Sequence, residues 1–157
     1  MNDYTRTFTV SQSRDEAFAA IQNPRAWWGA SIQGPTANRG DVFRYEVPGV
    51  HRSTQTLTEV VPGERMVWHV TDSWLLFVRD SAEWDGTDVI FTLTEHDGRT
   101  VVTFTHAGIS PDVECYDICS DAWSGFVTGS LKNLIETGEG QPMDRADEEA
   151  ALAGFQS

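Results

Sequence analysis

From about residue 40 to residue 107 the chain repeats one signal: apolar side chains at every second position, interrupted by short polar turns. That period is the one a pleated strand imposes. In GDVFRYEVPG, Phe43, Tyr45 and Val47 share a face and the run stops at Pro48-Gly49; HRSTQTLTEVVPG follows and turns at Pro62-Gly63. ERMVWHVTDS sets Met66, Trp68 and Val70 on one side, with Val67, His69 and Thr71 on the other. DVIFTLTEHDGRTVVTFTH is a pair of such runs joined near Asp97-Gly98, a favoured pair for a tight hairpin. Val89, Phe91 and Leu93 share a face of its first run, and Val102, Phe104 and His106 a face of its second. The chain therefore folds around antiparallel strands with one apolar face, which another layer has to cover.

The flanking segments supply the cover. YTRTFTV (4–10) alternates as a further strand, with Arg6 oddly placed on the side of Phe8 and Val10. SRDEAFAAIQNP has Ser13 and Glu16 at capping-box spacing and an apolar stripe of Ala17, Phe18 and Ile21, ended by Asn23-Pro24. RAWWGA reads as a second short helix. The stretch SWLLFVRDSAEWDGTD is irregular, with an apolar run through Trp74, Leu75, Leu76 and Phe77 and a bend at Asp85-Gly86; it is read as a strand or an irregular edge. From about Asp117 to Thr137, Tyr116, Cys119, Trp123, Val127, Ser130, Leu131 and Leu134 recur at three- and four-residue steps, and Gly138 and Pro142 stop the helix. The predicted order is strand, two short helices, about six strands and one long helix. Residues 1–142 form a single domain on this reading, and the acidic tail 143–157 is either a short helix or disordered.

Charge narrows the partners. Eleven Lys and Arg stand against 24 Asp and Glu, a formal net charge of -13, so a nucleic-acid backbone or an anionic membrane would be repelled. MNDYTRTFTV lacks the basic and apolar regions of a signal peptide, and no apolar run is long enough to span a bilayer, so a cytoplasmic protein is expected. The two cysteines, Cys115 and Cys119, are four residues apart in a helical stretch and are expected to stay reduced.

Chemistry concentrates in FTHAGISPDVECYDICSDAW (104–123), which gathers a histidine, both cysteines and four carboxylates. Three readings compete. A metal would recruit His106, Cys115, Cys119 and Glu114, but no thiolate knuckle has this spacing and no second histidine is near, so no metal is expected. A thiol nucleophile would pair a cysteine with His106, although buried cysteine is commonly a small hydrophobe. The third reading makes the cluster the wall of a pocket. Gly125 and Gly129, one turn apart in the helix, mark either close packing on the sheet or volume beside Trp123 and Phe126. The acidic group Asp80, Glu83, Asp85 and Asp88 reads as a solvated bend rather than a calcium loop.

The order of elements, together with TVSQSRDEAFAAI, RAWW, VPGERMVWHV, FTHAGISP and SLKNLIETGEG, resembles the START-like (SRPBCC) superfamily, and within it bacterial proteins of the heat-shock-protein-90 ATPase activator homology family. The resemblance runs from about Tyr4 to Pro142. It implies an α+β helix-grip fold, a curved antiparallel sheet wrapped around a long C-terminal helix with a cavity between them. It also implies a small hydrophobic or aromatic ligand and no cofactor. The expected lining is Trp28, Phe43, Tyr45, Trp68, Phe91 and Phe104, with His106, Tyr116, Cys119, Trp123, Phe126 and Val127; Trp27 and Trp28 guard a mouth. Two alternatives stand beside ligand binding. One is a cyclase- or hydrolase-type enzyme with His106 as general base and Tyr116 assisting. The other is a protein-interaction module, a chaperone cofactor or a homodimer, marked by an apolar patch around Trp74, Leu76 and Trp84.

Overall fold

A computed structural model of the protein describes residues 3–76, 78–79 and 82–156; Phe77 and Asp80 of the predicted runs lie outside them. Six strands form one antiparallel sheet: β1 (Tyr4–Val10), β2 (Val42–Val47), β3 (His51–Val61), β4 (Arg65–Leu75), β5 (Asp88–His96) and β6 (Arg99–Ala107), in the order β1-β6-β5-β4-β3-β2. Five strands follow the first helix where about six were predicted, because the irregular stretch gives only the end of β4 and then turns. The β5–β6 hairpin turns at Asp97-Gly98 with both residues at positive φ, 52° and 76°, the backbone that a two-residue turn between twisted strands demands. Register shifts between β3 and β4 at Thr54/Gln55 and Leu57/Glu59 are bulges, and bulges bend a sheet.

Helix α1 (Arg14–Ile21) begins with the capping box read from the sequence: the Glu16 N–H donates to Ser13 Oγ at 3.1 Å and the Ser13 N–H to Glu16 Oε1 at 3.3 Å. Ser13→Ala is expected to cost about 1 kcal/mol, a fall of roughly 3 °C in a thermal melt. The second short helix is a single 3-10 turn, Pro24–Ala26, and it ends before the paired tryptophans rather than containing them. Proline fixes that turn's start, and Trp27 and Trp28 then leave it with irregular backbone that sends both rings inward.

The long helix α2 (116–137) joins α-helical turns Tyr116–Trp123 and Lys132–Thr137 through a π-helical stretch, Ser124–Leu131. A π stretch adds a residue per turn and rotates the faces on either side of it. Cys119, Trp123, Val127, Leu131 and Ile135 are buried against the sheet, and Gly138 ends the helix in the left-handed conformation. Glu83 closes the other end, accepting the N–H groups of Glu114 and Cys115 at 3.0 and 2.8 Å. A carboxylate there meets the positive end of the helix. Residues 145–156 form helix α3 (Arg145–Gln156), held to the body where Glu148 accepts the Ser31 hydroxyl at 3.2 Å and Leu152 covers Gly49 in the β2–β3 turn.

Arg6 loses its oddity at the sheet edge: it is exposed, with its guanidinium 4.6 Å from the centre of the Tyr4 ring. No helix among the described residues is long and apolar enough to cross a membrane.

Candidate functional site: an apolar cleft beside the aromatic core

The space between sheet and α2 is occupied by rings. Trp28 is the hub, stacked on Tyr45 at 4.1 Å and 12° and on Trp68 at 5.8 Å and 8°, and tilted on Trp123 at 4.8 Å. Trp68 meets Phe91 at 4.9 Å and Phe43 at 5.0 Å edge-on, and Trp123 meets Phe104 at 4.7 Å. Offset and edge-on contacts of this kind add to the burial itself. The layers that the cavity expectation held apart are thus bridged by aromatic side chains over most of their contact. Phe43, Trp68, Phe91, Phe104 and Val127 lie inside this packing, and so does Trp27, which is fully buried.

Open volume remains at one end. A cleft of about 140 Å3 is bounded by Trp28 and Tyr45, by Val47, Val50 and His51 of the β2–β3 hairpin, and by Trp84. Ile118, Cys119, Ala122, Trp123 and Phe126 of α2, with Met143 and Ala151 of the tail, close it. Of the twelve residues expected to line a cavity, Trp28, Tyr45, Cys119, Trp123 and Phe126 come together here. Gly125 and Gly129 do not face the sheet; an added Cβ on either meets nothing within 4 Å, and both border a separate hollow on the outer side of α2.

His106 is also buried, but its two ring nitrogens are both committed. Trp123 Nε1, which can only donate, lies 3.0 Å from Nδ1. Nδ1 is therefore an acceptor and the proton sits on Nε2, which donates to Thr87 Oγ1 at 2.8 Å; Thr87 in turn donates to the Trp84 carbonyl at 2.6 Å. Burial, with His51 nearby, holds the His106 pKa down at about 3. A neutral imidazole with no free lone pair ties α2, β6 and the Trp84–Thr87 loop together and is not placed to take a substrate proton. Tyr116 is half-buried at the first turn of α2 and is not a hydrogen-bond partner of His106.

The cysteines are free and buried, and Cys119 Sγ accepts from Trp84 Nε1 at 3.4 Å. A hydrogen bond with Cys119, and then burial, push the Cys115 thiol far up, the opposite of an activated nucleophile. Among the described residues no His, Cys, Asp and Glu side chains converge as a metal site. Three of the four carboxylates read as an acidic bend have separate tasks: Glu83 caps α2, Asp85 accepts from Ser73 at 2.7 Å, and Asp88 pairs with His69 at 2.8 Å. Of the patch expected around Trp74, Leu76 and Trp84, Trp84 is withdrawn at 4% exposure and Trp74 is half-buried, while Leu76 is exposed.

His51 and Trp84 are among the cleft residues that sequence reasoning did not place there. Alternation does place His51, Ser53, Gln55 and Leu57 on one face of β3, and Leu57 shows that this face is the inner one. Trp84 sits in the irregular stretch, where no period marks its side.

Comparison with known proteins completes the description. The family model of Activator of Hsp90 ATPase homolog 1-like protein matches residues 12–136. The chain belongs to this family. No curated protein matches it. Among solved structures it is similar to the Aha1 dimer from Colwellia psychrerythraea, at 21% identity and TM-score 0.71, over 89% of this chain and 100% of that one. DynU16, from the dynemicin biosynthetic locus, is 20% identical with TM-score 0.66; 89% of this chain spans 49% of it. CalU16 from Micromonospora echinospora is 14% identical with TM-score 0.62, over 97% and 84% of the two chains. These likenesses establish the helix-grip fold.

Proposed function

We propose that this family member binds a small apolar, ring-bearing molecule in the cleft between the β2–β3 hairpin and α2, in the cytoplasm and without a cofactor. The observation that carries the proposal is the wall: tryptophan, phenylalanine and aliphatic side chains surround about 140 Å3 that the core rings leave open. That is close to the roughly 150 Å3 of an apolar cavity able to take up benzene. It is below the ~300 Å3 at which drug-sized sites begin, which limits the occupant to about one ring. Two free thiols suit a reducing compartment. DynU16 belongs to a biosynthetic locus, a setting in which small organic molecules are handled, and that neighbour supports the same reading.

The enzyme alternative finds little support, because the imidazole it needs as a base is already engaged on both sides. Self-association, as in the Colwellia dimer, is the second reading. Among the described residues, the exposed Val42, Leu76 and Ile118 are the large apolar side chains it could use.

Ala122 lies exposed on α2 with its side chain at the cleft, so Ala122→Phe fills the opening without disturbing the core. Ligand-observed NMR with toluene and ethylbenzene should show binding to the wild type, and at least about tenfold weaker binding to Ala122→Phe at an unchanged melting temperature, a factor worth roughly 1.4 kcal/mol. Equal binding by both proteins would remove the cleft from consideration.

A further inference from the structure

Strand β3 turns three polar side chains into an otherwise apolar interior: His51, Ser53 and Gln55, which are 7%, 0% and 0% exposed. They form a chain of hydrogen bonds. Gln55 Nε2 donates to Ser53 Oγ at 3.2 Å, and Ser53 Oγ lies 3.1 Å from His51 Nε2. Gln55 Oε1 is buried without a partner. Turning the amide round would strand an NH2 group in that dry position, a larger cost than one lone carbonyl. The amide therefore donates, and among the described residues the fully buried Ser53 proton has one acceptor in reach, the lone pair on His51 Nε2. This fixes the tautomer: the His51 proton sits on Nδ1.

That proton has no acceptor among the described residues. The ring stands edge-on to Tyr45 at 5.0 Å and to Trp84 at 4.7 Å, and these contacts keep it from turning. Three other side-chain donors on the cleft wall are already spent: the Tyr45 hydroxyl on Met143 Sδ at 3.3 Å, Trp84 Nε1 on Cys119 Sγ at 3.4 Å and Trp123 Nε1 on His106 Nδ1 at 3.0 Å. Burial holds the His51 pKa at about 3, so the imidazole stays neutral at ordinary pH. The cleft thus has an apolar wall to which His51 contributes a neutral N–H.

We propose that His51 Nδ1–H is the recognition group of the cleft and that its ligand is a one-ring aromatic aldehyde or ketone, whose carbonyl oxygen accepts that proton. The inference rests on the cleft being a binding site and adds which chemistry it selects. A carboxylate is excluded because no cation lines the cleft to offset its desolvation. A ligand hydroxyl would bring a proton that meets side-chain acceptors already engaged, the Tyr45–Met143 pair and the Cys119 sulfur that accepts from Trp84. A neutral acceptor without a donor of its own is the complement that remains.

The test titrates wild type and His51→Phe with acetophenone and with α-methylstyrene, in which CH2 replaces the carbonyl oxygen at nearly the same shape. His51→Phe is expected to weaken the ketone about five- to tenfold and to leave the alkene unchanged or tighter, the range of one neutral hydrogen bond. If both ligands bind the wild type and lose affinity alike, or neither loses any, the role of His51 is overturned while the cleft stands. If neither binds the wild type, the cleft reading falls and takes this inference with it. Two measurements on the wild type do not depend on the variant folding. Long-range 15N–1H correlations should show His51 protonated at Nδ1 and His106 at Nε2. The infrared carbonyl stretch of bound acetophenone should move to lower frequency than in hexane, and an unshifted band would overturn the hydrogen bond.

Discussion

Acidification from neutral pH to about pH 5 is expected to remove about 4 kcal/mol of folding stability through two histidines alone. His51 and His106 are held neutral by burial, with pKa values near 3, against roughly 6.5 in the unfolded chain. Between those values the unfolded chain binds more protons than the folded one. Stability contributed by the neutral rings is therefore complete above the unfolded pKa and lost as pH falls below it. Each histidine contributes about 1.4 kcal/mol per pH unit in that window, so a drop of about 1.5 units costs about 2 kcal/mol apiece. Their mutual repulsion when charged blocks an escape in which both rings protonate within the fold. Urea titrations at half-unit steps from pH 7 to pH 4.5 should show the slope, and His51→Phe should halve it. The formal charge of -13 acts the other way, since protonating carboxylates relieves self-repulsion. For that reason the comparison of slopes between the two proteins, rather than the absolute slope, is decisive. Equal slopes would mean the imidazoles are not responsible.

Trp123→Ala should be the most damaging single substitution on α2, at about 5 kcal/mol, close to the lower end of a domain's total stability. The indole is 2% exposed and packs on Trp28, Trp84 and Phe104, so its removal leaves a cavity that π-helical backbone and a strand layer cannot easily collapse around. It also strips His106 Nδ1 of its donor in a dry site. Trp123→Phe separates the two effects: a ring still fills much of the space, while the orphaned nitrogen costs roughly 1–3 kcal/mol. Chemical denaturation of both variants gives the comparison. A loss under about 1 kcal/mol for Trp123→Phe would show that His106 gains little from the indole.

Much of the sheet was readable because its residues obey the period of the backbone. Phe43, Tyr45 and Val47 alternate without a break, and Asp97-Gly98 supplies the left-handed turn that the β5–β6 hairpin uses. The α1 cap was equally plain, since Ser13 and Glu16 interact within four residues. Where the period fails, so does the reading. Trp27 and Trp28 follow a 3-10 turn and point inward through irregular backbone, and the loop carrying Trp84 has no repeat at all. The polar series His51, Ser53 and Gln55 does alternate in phase with Leu57, but polar side chains ordinarily face water, and against three of them the single leucine is a faint mark of the inner face. Whether a helix stands clear of a sheet depends on the summed volume of side chains from distant segments. The aromatic content announced large groups, yet the stacking of Trp28 between Tyr45 and Trp68 brings together three segments that no local pattern connects.

The indole cluster has an optical consequence. Trp27, Trp28, Trp68, Trp84 and Trp123 are joined by near neighbours within about 6.3 Å, so light absorbed by one is shared among chromophores held in a fixed chiral array. Exciton coupling of this kind belongs to the native arrangement only, which gives the protein an intrinsic circular-dichroism signature of its interior that needs no added dye.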